Sequence, residues 1–537
     1  MNKNTETPER ACALKRVLPI LPDPLASFSA LTKNGKAPHT ILMESAEPSS
    51  RKTQRSMLVV SSALLVVCRG AFVEITALNG EGSALLPRLF DRFSAWLVVE
   101  TPKGSALRLK FPLPRDARDL PESERLKIDS TLSVLRGLLA LLREDLPDFP
   151  EALFLSGVFA YDLVDQFEPL PEAEAGNDFP DYQFILADQM VVIDPLEKTA
   201  YALACSFGAS NAATLNRRLD FIEEGIAESA LAPCAEFDAR GATAGASVPV
   251  GTSNLLCDSS DLVFAAKVKT LKEHILAGDV FQIVASRTFF TPCEDAFAAY
   301  CALRSINPSP YLFYMNGGGF ILFGASPESA VKVEGGARSI SISPIAGTAP
   351  RGFFPDGRID ADLDGRLEAE LRLNEKENAE HMMLVDLARN DVARVSKPGT
   401  RAVGELLRTE RYSHVMHLVS RVTGTLRDDL DALHAYQASM NMGTLTGAPK
   451  IRAMQLLREH EGKRRGHYGG AIGYLRGDGS FDTAIVIRAA LVENGTASVR
   501  AGAGVVHDSV PILEADETRR KAEAVLRAIV STRPTPT

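Results

Sequence analysis

The chain has 537 residues, of which 45% are hydrophobic and 24% are charged, and its formal net charge is −9 at pH 7. This length exceeds what one ordinary core accommodates, so we expect two large lobes or intertwined domains. The composition is typical of a globular protein, and the acidic balance does not favour a nucleic-acid-binding surface. The longest apolar run, residues 57–68, is too short to span a bilayer.

The cysteines and the N-terminal residues indicate a cytoplasmic protein. The seven cysteines form no CxxC pair and their number is odd, which indicates reduced thiols rather than a disulfide framework or a zinc site. Residues 1–17 include early acidic side chains and no apolar core segment, so they do not resemble a signal peptide. We therefore expect neither a membrane nor a nucleic acid as a partner.

Predicted strands and helices alternate in the first half of the chain. Apolar runs on either side of Gly70 predict two strands, and a second pair of strands meets at the turn signal around Pro195. Apolar residues at helical spacing predict helices over residues 126–142 and 211–227.

Composition divides the chain into four parts. Residues 1–40 are mixed and contain prolines, so we expect a loosely held start. Residues 229–256 are rich in Ala, Gly, Ser and Pro and have no period, which predicts a linker. The linker separates an N-terminal region, residues 41–228, from a second domain, residues 257–530.

The second half of the chain has more regular patterns. Ser259 and Ser260 can cap a helix that runs to about Ala277 and that Gly278 ends. The string VFQIVASRTFF predicts a strand, and glycine-containing turns predict two hairpins and a C-terminal meander: Gly317–Gly319, Gly335–Gly336, Asp478–Gly479 and Asn494–Gly495. Antiparallel strand pairs with helices between them predict an α+β fold rather than a doubly wound parallel sheet.

Two pairs of glutamates open predicted helices. Residues 374–395 have apolar side chains at helical spacing, and Glu377 and Glu380 lie one turn apart near the start. Glu514 and Glu517 repeat this spacing in a second helical stretch. Glutamates near a helix N-terminus are ordinary, because they complement the helix dipole. The two pairs could instead converge on one hard cation such as Mg2+, which binds few carboxylates, retains waters and is completed by substrate oxygens.

Other candidate residues concentrate in the same half. Arg488 lies inside a predicted apolar strand, DTAIVIRAALV, where it needs either an internal ion pair or a substrate carboxylate. Gly502 and Gly504 allow backbone N–H groups to approach a ligand, although a tight turn is the simpler interpretation. His417 has apolar neighbours, which is typical of a hydrogen-bonded core histidine. The string GTLTGAPK, residues 443–450, does not have the spacing of a phosphate loop, so we reject a nucleotide-triphosphate site.

A dense series of strings covers residues 258–528: GDVFQIV, NPSPYLFYM, FGASPES, PIAGT, AEHMMLVDLARND, RYSHVMHLVSRV, GTLTGAPKIRAM, RRGHYGGAIGY, DTAIVIR, AGAGVV and DSVPILEADET. The first half adds ILMESAE and GVFAYDLVDQFEPLP. Together these strings resemble the chorismate-utilising enzyme family, and within it the large subunits of anthranilate synthases. The resemblance implies a two-lobed α+β fold, in which mainly antiparallel sheets pack as a sandwich with helices on the outside, and a chorismate-binding domain over residues 257–530.

The resemblance also implies a reaction and the residues that perform it. The enzyme would convert chorismate and ammonia to anthranilate and pyruvate, which is the first committed step of L-tryptophan biosynthesis. The implied Mg2+ ligands are Glu380 and Glu517, supported by Glu377 and Glu514. The implied substrate-binding residues are Gly347, Thr348, Tyr468, Arg488, Gly502, Ala503 and Gly504. The implied catalytic residues are His417, Thr348 and Glu377, with His417 beside the leaving hydroxyl.

Two positions distinguish members of the family. Ala346 stands where aminodeoxychorismate synthases typically have a nucleophilic lysine, and Gln282 stands where isochorismate and salicylate synthases typically have a lysine that activates water. Because both lysines are missing, the addition of ammonia fits best. The alternatives are an enzyme like aminodeoxychorismate synthase and a catalytically silent tryptophan-binding regulatory subunit. The complete set of implied site residues argues against the silent subunit.

The resemblance implies a partner subunit and an inhibitor. No glutaminase-like GxCxGxQ string occurs, so we expect a separate glutamine amidotransferase, most often in a heterotetramer of two large and two small subunits. L-Tryptophan would inhibit by binding Met43, Glu44, Ser45, Pro310, Tyr311 and Leu312. Glu44 is the expected partner of the α-ammonium group, and an apolar wall would accommodate the indole. Leu312 stands where relatives commonly have methionine, so we expect altered sensitivity rather than its loss.

Overall fold

The structure, a computed structural model, describes residues 10–45, 55–100, 104–117, 119–174, 178–231, 256–412 and 415–533. Its strands are β1 (Cys12–Val17), β2 (Thr40–Glu44), β3 (Ser56–Arg69), β4 (Phe72–Ala77), β5 (Leu97–Glu100), β6 (Ala106–Lys110), β7 (Phe154–Phe159), β8 (Tyr182–Asp194), β9 (Thr199–Ser206), β10 (Leu256–Cys257), β11 (Gln282–Pro292), β12 (Tyr311–Asn316), β13 (Ile321–Ser326), β14 (Ser329–Glu334), β15 (Ser339–Ile342), β16 (Ile345–Pro350), β17 (Ala402–Arg411), β18 (Val415–Thr425), β19 (Gly447–Ala448), β20 (Ala471–Arg476), β21 (Phe481–Ile485), β22 (Ala489–Glu493) and β23 (Thr496–Val505). Its α-helices are α1 (Pro24–Thr32), α2 (Gly80–Arg92), α3 (Glu122–Arg125), α4 (Ser133–Arg143), α5 (Ala212–Leu231), α6 (Asp261–Leu276), α7 (Ala296–Ile306), α8 (Ala361–Leu373), α9 (Glu375–Val395), α10 (Ala432–Ser439), α11 (Gly443–Thr446), α12 (Lys450–Glu461) and α13 (Pro511–Ser531).

The strands form two antiparallel sheets that share β3 and β8. The first sheet has the order β1, β9, β8, β3, β2, β12, β13, β22, β23 and β11, and the short β10 and β19 pair with β11. The second sheet has the order β5, β6, β4, β3, β8, β7, β20, β21, β14, β15 and β18, and β16 and β17 both pair with β18. Both halves of the chain therefore contribute strands to each sheet.

Strands β3 and β8 pass from one sheet to the other because both are long and irregular. They have 14 and 13 residues, and their pairing shifts register around Ser61 and Ser62. Such bulges bend a strand and increase its twist. One end of β3 pairs with β2 in the first sheet, while its other end pairs with β4 in the second sheet.

Apolar side chains from both sheets fill the space between them. This layer includes Val59, Phe313, Leu322, Ile472 and Val486, all buried. On the outer face of the first sheet, α1, α5, α7 and α13 contribute buried residues, and on the outer face of the second sheet α2, α4, α9 and α10 do so. The predicted fold class is confirmed: the protein is an α+β sandwich of antiparallel sheets with helices outside.

The structure corrects two predicted elements. The helix predicted over residues 126–142 begins at Ser133, whose hydroxyl bonds to the backbone N–H of Ser130 and to Asp129, and such local side-chain bonds compete with helix formation. The predicted C-terminal meander is two hairpins in different sheets. Strands β21 and β22 do not pair with each other, since the chain crosses from the second sheet to the first between them.

The predicted loosely held start is wrong for residues 10–40. Strand β1 pairs with β9 along its length, and Phe28 of α1 is completely buried. Most of the predicted linker, residues 232–255, lies outside the described residues, and the predicted boundaries of the two domains stay a prediction. None of the described helices combines the length and the apolar character needed to cross a membrane.

Candidate functional site

The first glutamate pair lies on the two opening turns of α9. Asn374 caps this helix, because its side-chain oxygen accepts hydrogen bonds from the backbone N–H groups of Lys376 and Glu377 at 3.0 and 3.1 Å. The helix predicted over residues 374–395 is therefore confirmed, and Glu377 and Glu380 are both half-buried. The second pair opens α13, which begins at Pro511, a residue suited to the first turn of a helix.

The structure brings the two glutamate pairs close together. Burial raises the pKa of Glu380, and the negative charges of Glu377 and Glu517 raise it further, while Lys521 and Lys376 oppose the shift. Gly504 lies next to Oε1 of Glu380, and Lys521 bonds both to Glu517 and to the Gly502 carbonyl, so the first turns of α9 and α13 both lie beside β23. Among the described residues, no group of three His, Cys, Asp or Glu side chains is arranged to hold a metal ion by itself.

Gln282 and Gly504 form the wall next to Glu380. The Gln282 side chain donates a hydrogen bond to Oε1 of Glu380 at 3.1 Å. A Cβ atom on Gly504 would lie 2.7 Å from Nε2 of Gln282 and 3.9 Å from Oε1 of Glu380, so only glycine leaves this space open. The other side-chain atom of Gln282, Oε1, is buried and has no hydrogen-bond partner in the described part of the chain. An open space with acceptor oxygens suits a hydrated cation.

The opposite wall joins His417 to the first glutamate pair through Gly347. Nδ1 of His417 lies 2.9 Å from the Thr348 hydroxyl and 3.3 Å from the Gly347 carbonyl. The pairing of β16 with β18 shifts register between Ala346 and Thr348, and Gly347 has a left-handed φ of +87°. A Cβ atom on Gly347 would lie 3.3 Å from Oε2 of Glu377. The bulge therefore brings Thr348, His417 and Glu377 to one point.

His417 is a neutral imidazole in this environment. Burial lowers its pKa to about 4, and the positive charge of Arg488 contributes to the shift. The Gly347 carbonyl can only accept a hydrogen bond, so we infer that Nδ1 carries the proton. Nε2 of His417 is then left with its lone pair, which can accept a proton or a hydrogen bond from a ligand.

Arg488 lies between β21 and β22 rather than inside a strand, and its φ is +51°. Its guanidinium donates to the backbone carbonyl of Lys521 at 2.8 Å and forms no ion pair within the described ranges. Burial lowers its pKa, while the negative charge of Glu517 acts in the opposite direction. Of the two interpretations of this arginine, the internal ion pair therefore fails. A half-buried cation without a carboxylate partner favours an anionic ligand.

Tyr468 precedes β20 and faces the glycines of β23. Burial raises its pKa to about 12 in spite of the nearby Arg488 charge, so the hydroxyl keeps its proton and can donate a hydrogen bond. A Cβ atom on Gly502 would lie only 2.6 Å from that hydroxyl. Ala503 is completely buried, and alternation along β23 turns its side chain away from the face of Gly502 and Gly504. Only the backbone of Ala503 is available to the site.

Two residues of this site were missed by the sequence analysis. Nζ of Lys521 lies 2.6 Å from Oε1 of Glu517 and donates to the Gly502 carbonyl at 3.1 Å. The ring of His381 bonds to the carbonyl of Ala346 at 3.0 Å and to the Ser420 hydroxyl at 2.7 Å, which holds the strand that carries Gly347. The i,i+4 spacing from Glu517 was a sequence signal for Lys521. His381 had no such signal, because its partners lie on distant strands.

The lysine of the string GTLTGAPK, residues 443–450, is bound inside the protein. Nζ of Lys450 is buried and donates to Oδ2 of Asp391 and to the carbonyl of Ser439, both at 2.7 Å. Burial lowers the pKa of Lys450, which the Asp391 carboxylate opposes. This lysine therefore serves an internal ion pair and is not free to bind phosphate.

A separate cavity of about 330 Å3 lies between β2, β12, β14, β20 and β21. All of the predicted tryptophan-binding residues line it: Met43, Glu44, Ser45, Pro310, Tyr311 and Leu312. The volume is at the lower end of the range of about 300–1,000 Å3 that is typical of small-molecule pockets. The hydroxyl of Ser45 is buried and has no hydrogen-bond partner among the residues that the structure describes.

The structure corrects the predicted roles of two side chains at this cavity. Oε1 of Glu44 accepts hydrogen bonds from Tyr300 at 2.6 Å and from Arg304 at 2.8 Å, both on α7 outside the first sheet. Glu44 is therefore occupied and is not the partner of a ligand ammonium. Leu312 pairs with Glu44 across the strands and packs in the same outer layer as Tyr300. The cavity has another carboxylate, Asp482, which accepts a hydrogen bond from the Tyr311 hydroxyl at 3.2 Å and lies 3.4 Å from Nζ of Lys332.

Comparison with known proteins decides the family. The profile of the family described as chorismate binding enzyme matches residues 119–527. The chain belongs to this family. It is 51% identical over 516 residues to anthranilate synthase component 1 of Vibrio cholerae, which covers 96% of this chain and 95% of the relative. It is 48% identical to the Escherichia coli protein of the same name, with 95% of each chain covered. The predicted resemblance to anthranilate synthase large subunits is confirmed.

Solved structures of chorismate-binding enzymes share the fold. Anthranilate synthase component I from Streptococcus pneumoniae superposes with a TM-score of 0.61 at 27% identity and covers 89% of this chain and 93% of its own. The menaquinone-specific isochorismate synthase from Escherichia coli superposes with a TM-score of 0.64 at 16% identity and covers 97% of this chain and 94% of its own. The second similarity concerns the fold alone.

Proposed function

We propose that this member of the chorismate-binding family is the large component of an anthranilate synthase, which converts chorismate and ammonia to anthranilate, pyruvate and water. The observation that carries the proposal is that Arg488, which forms no ion pair among the described residues, lies in the same site as two glutamate pairs that both adjoin β23. Chorismate has two carboxylates at separate positions. An arginine can bind one of them directly, and a cation on the glutamates can bind the other.

The glutamates suit Mg2+. Glu380 and Glu517 would hold the ion, and Glu377 and Glu514 would support it. Their mutual repulsion supports this assignment, because the pKa values of Glu380 and Glu514 are both raised by neighbouring carboxylates as well as by burial. When bound, the cation neutralises these carboxylates and holds the ring carboxylate of chorismate.

The other end of the substrate is held by the protein alone. Arg488 and the protonated Tyr468 hydroxyl bind the enolpyruvyl carboxylate, and Gly502 and Gly504 leave room for it beside β23. These contacts fix the ring between the two walls. Fixing both ends in this way lowers the entropy cost of bringing ammonia to one carbon atom of the ring.

The reaction then needs a leaving hydroxyl and a proton acceptor. Ammonia forms a bond to C2 while the C4–O bond breaks and the hydroxyl departs as water, after which loss of the C2 proton and cleavage of the C3–O bond release pyruvate. His417 and Thr348 lie beside the leaving hydroxyl in this proposal. Because His417 is neutral, it orients the group and exchanges protons through Nε2 rather than acting as a permanently charged acid.

The nucleophile is ammonia because the site offers no lysine at either key position. Ala346 bonds through its carbonyl to His381 and has no side-chain nucleophile. Gln282 cannot deprotonate a water, since its amide is not a base at neutral pH. The alternative of an aminodeoxychorismate-synthase-like enzyme would place the amine at a different ring position. The alternative of a silent regulatory subunit leaves the unpaired Arg488 without a purpose.

The partner supplies the ammonia. The relatives are named component 1, which implies a second component in those enzymes. We propose a separate glutamine amidotransferase subunit, two of each subunit in a heterotetramer, and a cytoplasmic location. This chain does not need to release ammonia from glutamine itself, because an ammonium salt at mildly alkaline pH also provides ammonia.

The second cavity is the proposed L-tryptophan site. The apolar side chains Met43 and Tyr311 suit the indole, and the unpartnered hydroxyl of Ser45 suits a polar group of the amino acid. Asp482 replaces Glu44 as the proposed partner of the α-ammonium group, because the Glu44 carboxylate is turned towards Arg304 of α7, whereas Asp482 bonds to Tyr311 and lies near Lys332, which both line the cavity. Tryptophan inhibition then follows if the ligand favours a conformation that binds chorismate poorly.

The test of the reaction uses the purified chain with chorismate, MgCl2 and ammonium chloride at mildly alkaline pH. We expect anthranilate fluorescence that requires Mg2+ and the ammonium salt. Consumption of chorismate with a product aminated at another ring position would establish the aminodeoxychorismate alternative instead. Tryptophan binding without any consumption of chorismate would establish the silent subunit.

The test of the inhibitor site uses Ser45→Ala and Asp482→Asn in the same assay. Loss of one hydrogen bond at Ser45 weakens inhibition by about tenfold at most, while loss of the charged partner at Asp482 weakens it by more than about tenfold. Activity without tryptophan stays unchanged in both variants, since neither residue lies in the chorismate site. Unaltered inhibition in Asp482→Asn would refute the assignment of the ammonium partner.

A further inference from the structure

We propose that Asp162, a buried carboxylate from the first half of the chain, is a positioning residue that holds the loop carrying Tyr468 and thereby sets the affinity for the substrate carboxylate. The inference rests on the proposed function, because it concerns the tyrosine that binds chorismate there. Asp162 follows β7 and is 1% exposed.

The loop at residues 462–470 needs external support. It connects α12 to β20 and contains little regular structure. Gly462, Gly466 and Gly469 have left-handed φ values of +69°, +63° and +76° within it. Glycine at these positions makes the turns possible but also leaves the chain with more conformational freedom. Tyr468 is therefore on a segment whose position must come from contacts with other elements.

Asp162 supplies those contacts from the first half of the chain. Its Oδ2 accepts a hydrogen bond from the backbone N–H of Gly466 at 2.7 Å, and its Oδ1 accepts one from the N–H of Arg465 at 3.2 Å. The guanidinium of Arg458 also donates to Oδ1 at 3.1 Å. The backbone N–H of Tyr161 donates to the Gly466 carbonyl at 2.8 Å, so both polar backbone groups of Gly466 are bound. Two consecutive residues of the loop are thus bound by one carboxylate.

A continuous set of contacts leads from this anchor to the ring of Tyr468. The Arg465 guanidinium donates to the carbonyls of Leu445 and Val284, both at 2.7 Å, and pairs with Glu461 at 2.8 Å. It lies 5.8 Å from the centre of the Tyr468 ring. A movement of the backbone at Arg465 therefore moves both the guanidinium and the tyrosine it contacts.

The substitution Asp162→Asn changes this anchor with little change of shape. One oxygen of the carboxylate becomes an NH2 group, which then faces an N–H donor of the loop or of Arg458. Two donors that face each other cannot form a hydrogen bond, and the buried loop N–H is left unsatisfied. We expect the loop to shift and the Tyr468 hydroxyl to lose its position beside Gly502.

Asp165 is the matched control. Its carboxylate also binds Arg458, at 2.8 Å, but no hydrogen bond joins it to the described loop backbone, and its side chain is 25% exposed. Both substitutions, Asp162→Asn and Asp165→Asn, remove one negative charge beside the same arginine. Only the first breaks the hydrogen bonds to Arg465 and Gly466, so a difference between them measures the contribution of the loop.

The experiment is a double-mutant cycle with Tyr468→Phe in the ammonium-dependent assay. We expect Asp162→Asn to raise KM for chorismate by about tenfold with a smaller change in kcat, and Asp165→Asn to change KM by less than about threefold. In the Tyr468→Phe background, Asp162→Asn adds less than about threefold, because the hydroxyl it positions is already absent. A general loss of structure would instead lower kcat and multiply with Tyr468→Phe.

Two outcomes would overturn the inference: effects of Asp162→Asn and Tyr468→Phe that multiply, or an effect of Asp165→Asn equal to that of Asp162→Asn. If Asp162→Asn does not unfold cooperatively on heating, the same cycle is run with Gly466→Ala, which strains the left-handed position of the loop and keeps the carboxylate. Absence of anthranilate from the wild-type chain would refute the proposed function, whereas wild-type turnover with multiplying effects would refute the positioning alone.

Discussion

Replacing Gly502 with alanine tests the geometry of the substrate site with a single methyl group. The backbone of Gly502 is not in the left-handed region, so alanine is not excluded by its φ angle. The added Cβ would lie 2.6 Å from the Tyr468 hydroxyl and 2.7 Å from the carbonyl oxygen of Ala285. Both distances are shorter than the separation of about 3.5 Å at which non-bonded atoms attract. Both contacts must therefore be relieved.

The tyrosine is the neighbour that moves more easily, and the contact with the Ala285 carbonyl adds to the loss of stability. Gly502 pairs with Ser286 in the antiparallel pairing of β11 and β23, so the Ala285 carbonyl is held by the sheet. Relief of the contact requires the Tyr468 hydroxyl to shift by about 0.9 Å. A misplacement of about 1 Å in a binding group can lower activity by about 100-fold, and overpacking costs about 1–3 kcal/mol of stability. We expect kcat/KM for chorismate to fall between about 10- and 100-fold.

The assay follows anthranilate fluorescence with ammonium chloride and Mg2+, and urea unfolding measures stability in parallel. The matched control is Gly404→Ala on β17, where an added Cβ meets no atom within 4 Å. We expect that control to retain wild-type activity. Wild-type kcat/KM in Gly502→Ala would show that the Tyr468 hydroxyl does not contact the substrate beside β23, and would refute the assignment of that wall.

Three further predictions concern the metal, the histidine and the arginine. Glu380→Gln abolishes Mg2+-dependent turnover and leaves tryptophan binding intact, measured by fluorescence and calorimetry; full activity would contradict the metal assignment. The imidazole of His417 titrates near pH 4 by NMR rather than near its usual 6.5, because burial disfavours the cation. The unfolded chain binds this proton more tightly than the folded chain does. The contribution of His417 to the free energy of unfolding is therefore present above about pH 6.5 and is lost as the pH falls towards 4. His417→Asn reduces this loss, which urea unfolding at about pH 5 measures. Arg488→Gln lowers kcat/KM by about 10- to 150-fold, as expected for loss of a charged hydrogen bond of about 1.5–3 kcal/mol, and an unchanged KM would argue against a carboxylate ligand.

The sequence alone was sufficient for the elements and residues whose signals are local. The helix at residues 374–395 follows from apolar spacing. Its start is determined by Asn374, whose side-chain oxygen accepts hydrogen bonds from the backbone N–H groups of Lys376 and Glu377. The spacing of Glu377 and Glu380 places both side chains on one face, because three residues make nearly one turn. The resemblance of many separated strings also identified the family, which the similarity to curated relatives confirms.

Other features depended on contacts between residues far apart in the chain. The sequence could not show that the first turns of α9 and α13 both lie beside β23, since this depends on how the helices pack on the sheets. Arg488 was predicted in a strand but lies at the crossing between the sheets. Glu44 was predicted to bind a ligand but binds Arg304 of α7.

The physical reason for this division is the range of the interactions. Helix periodicity, capping and turn preferences act between residues a few positions apart, so a sequence pattern contains both partners. Burial, ion pairing and pKa shifts depend on every group within a few ångströms in space. Asp162 and Gly466 are separated by more than half of the chain and meet only after the strands β7 and β20 pair. Only the tertiary structure could therefore show that a carboxylate of the first half binds the loop that carries Tyr468.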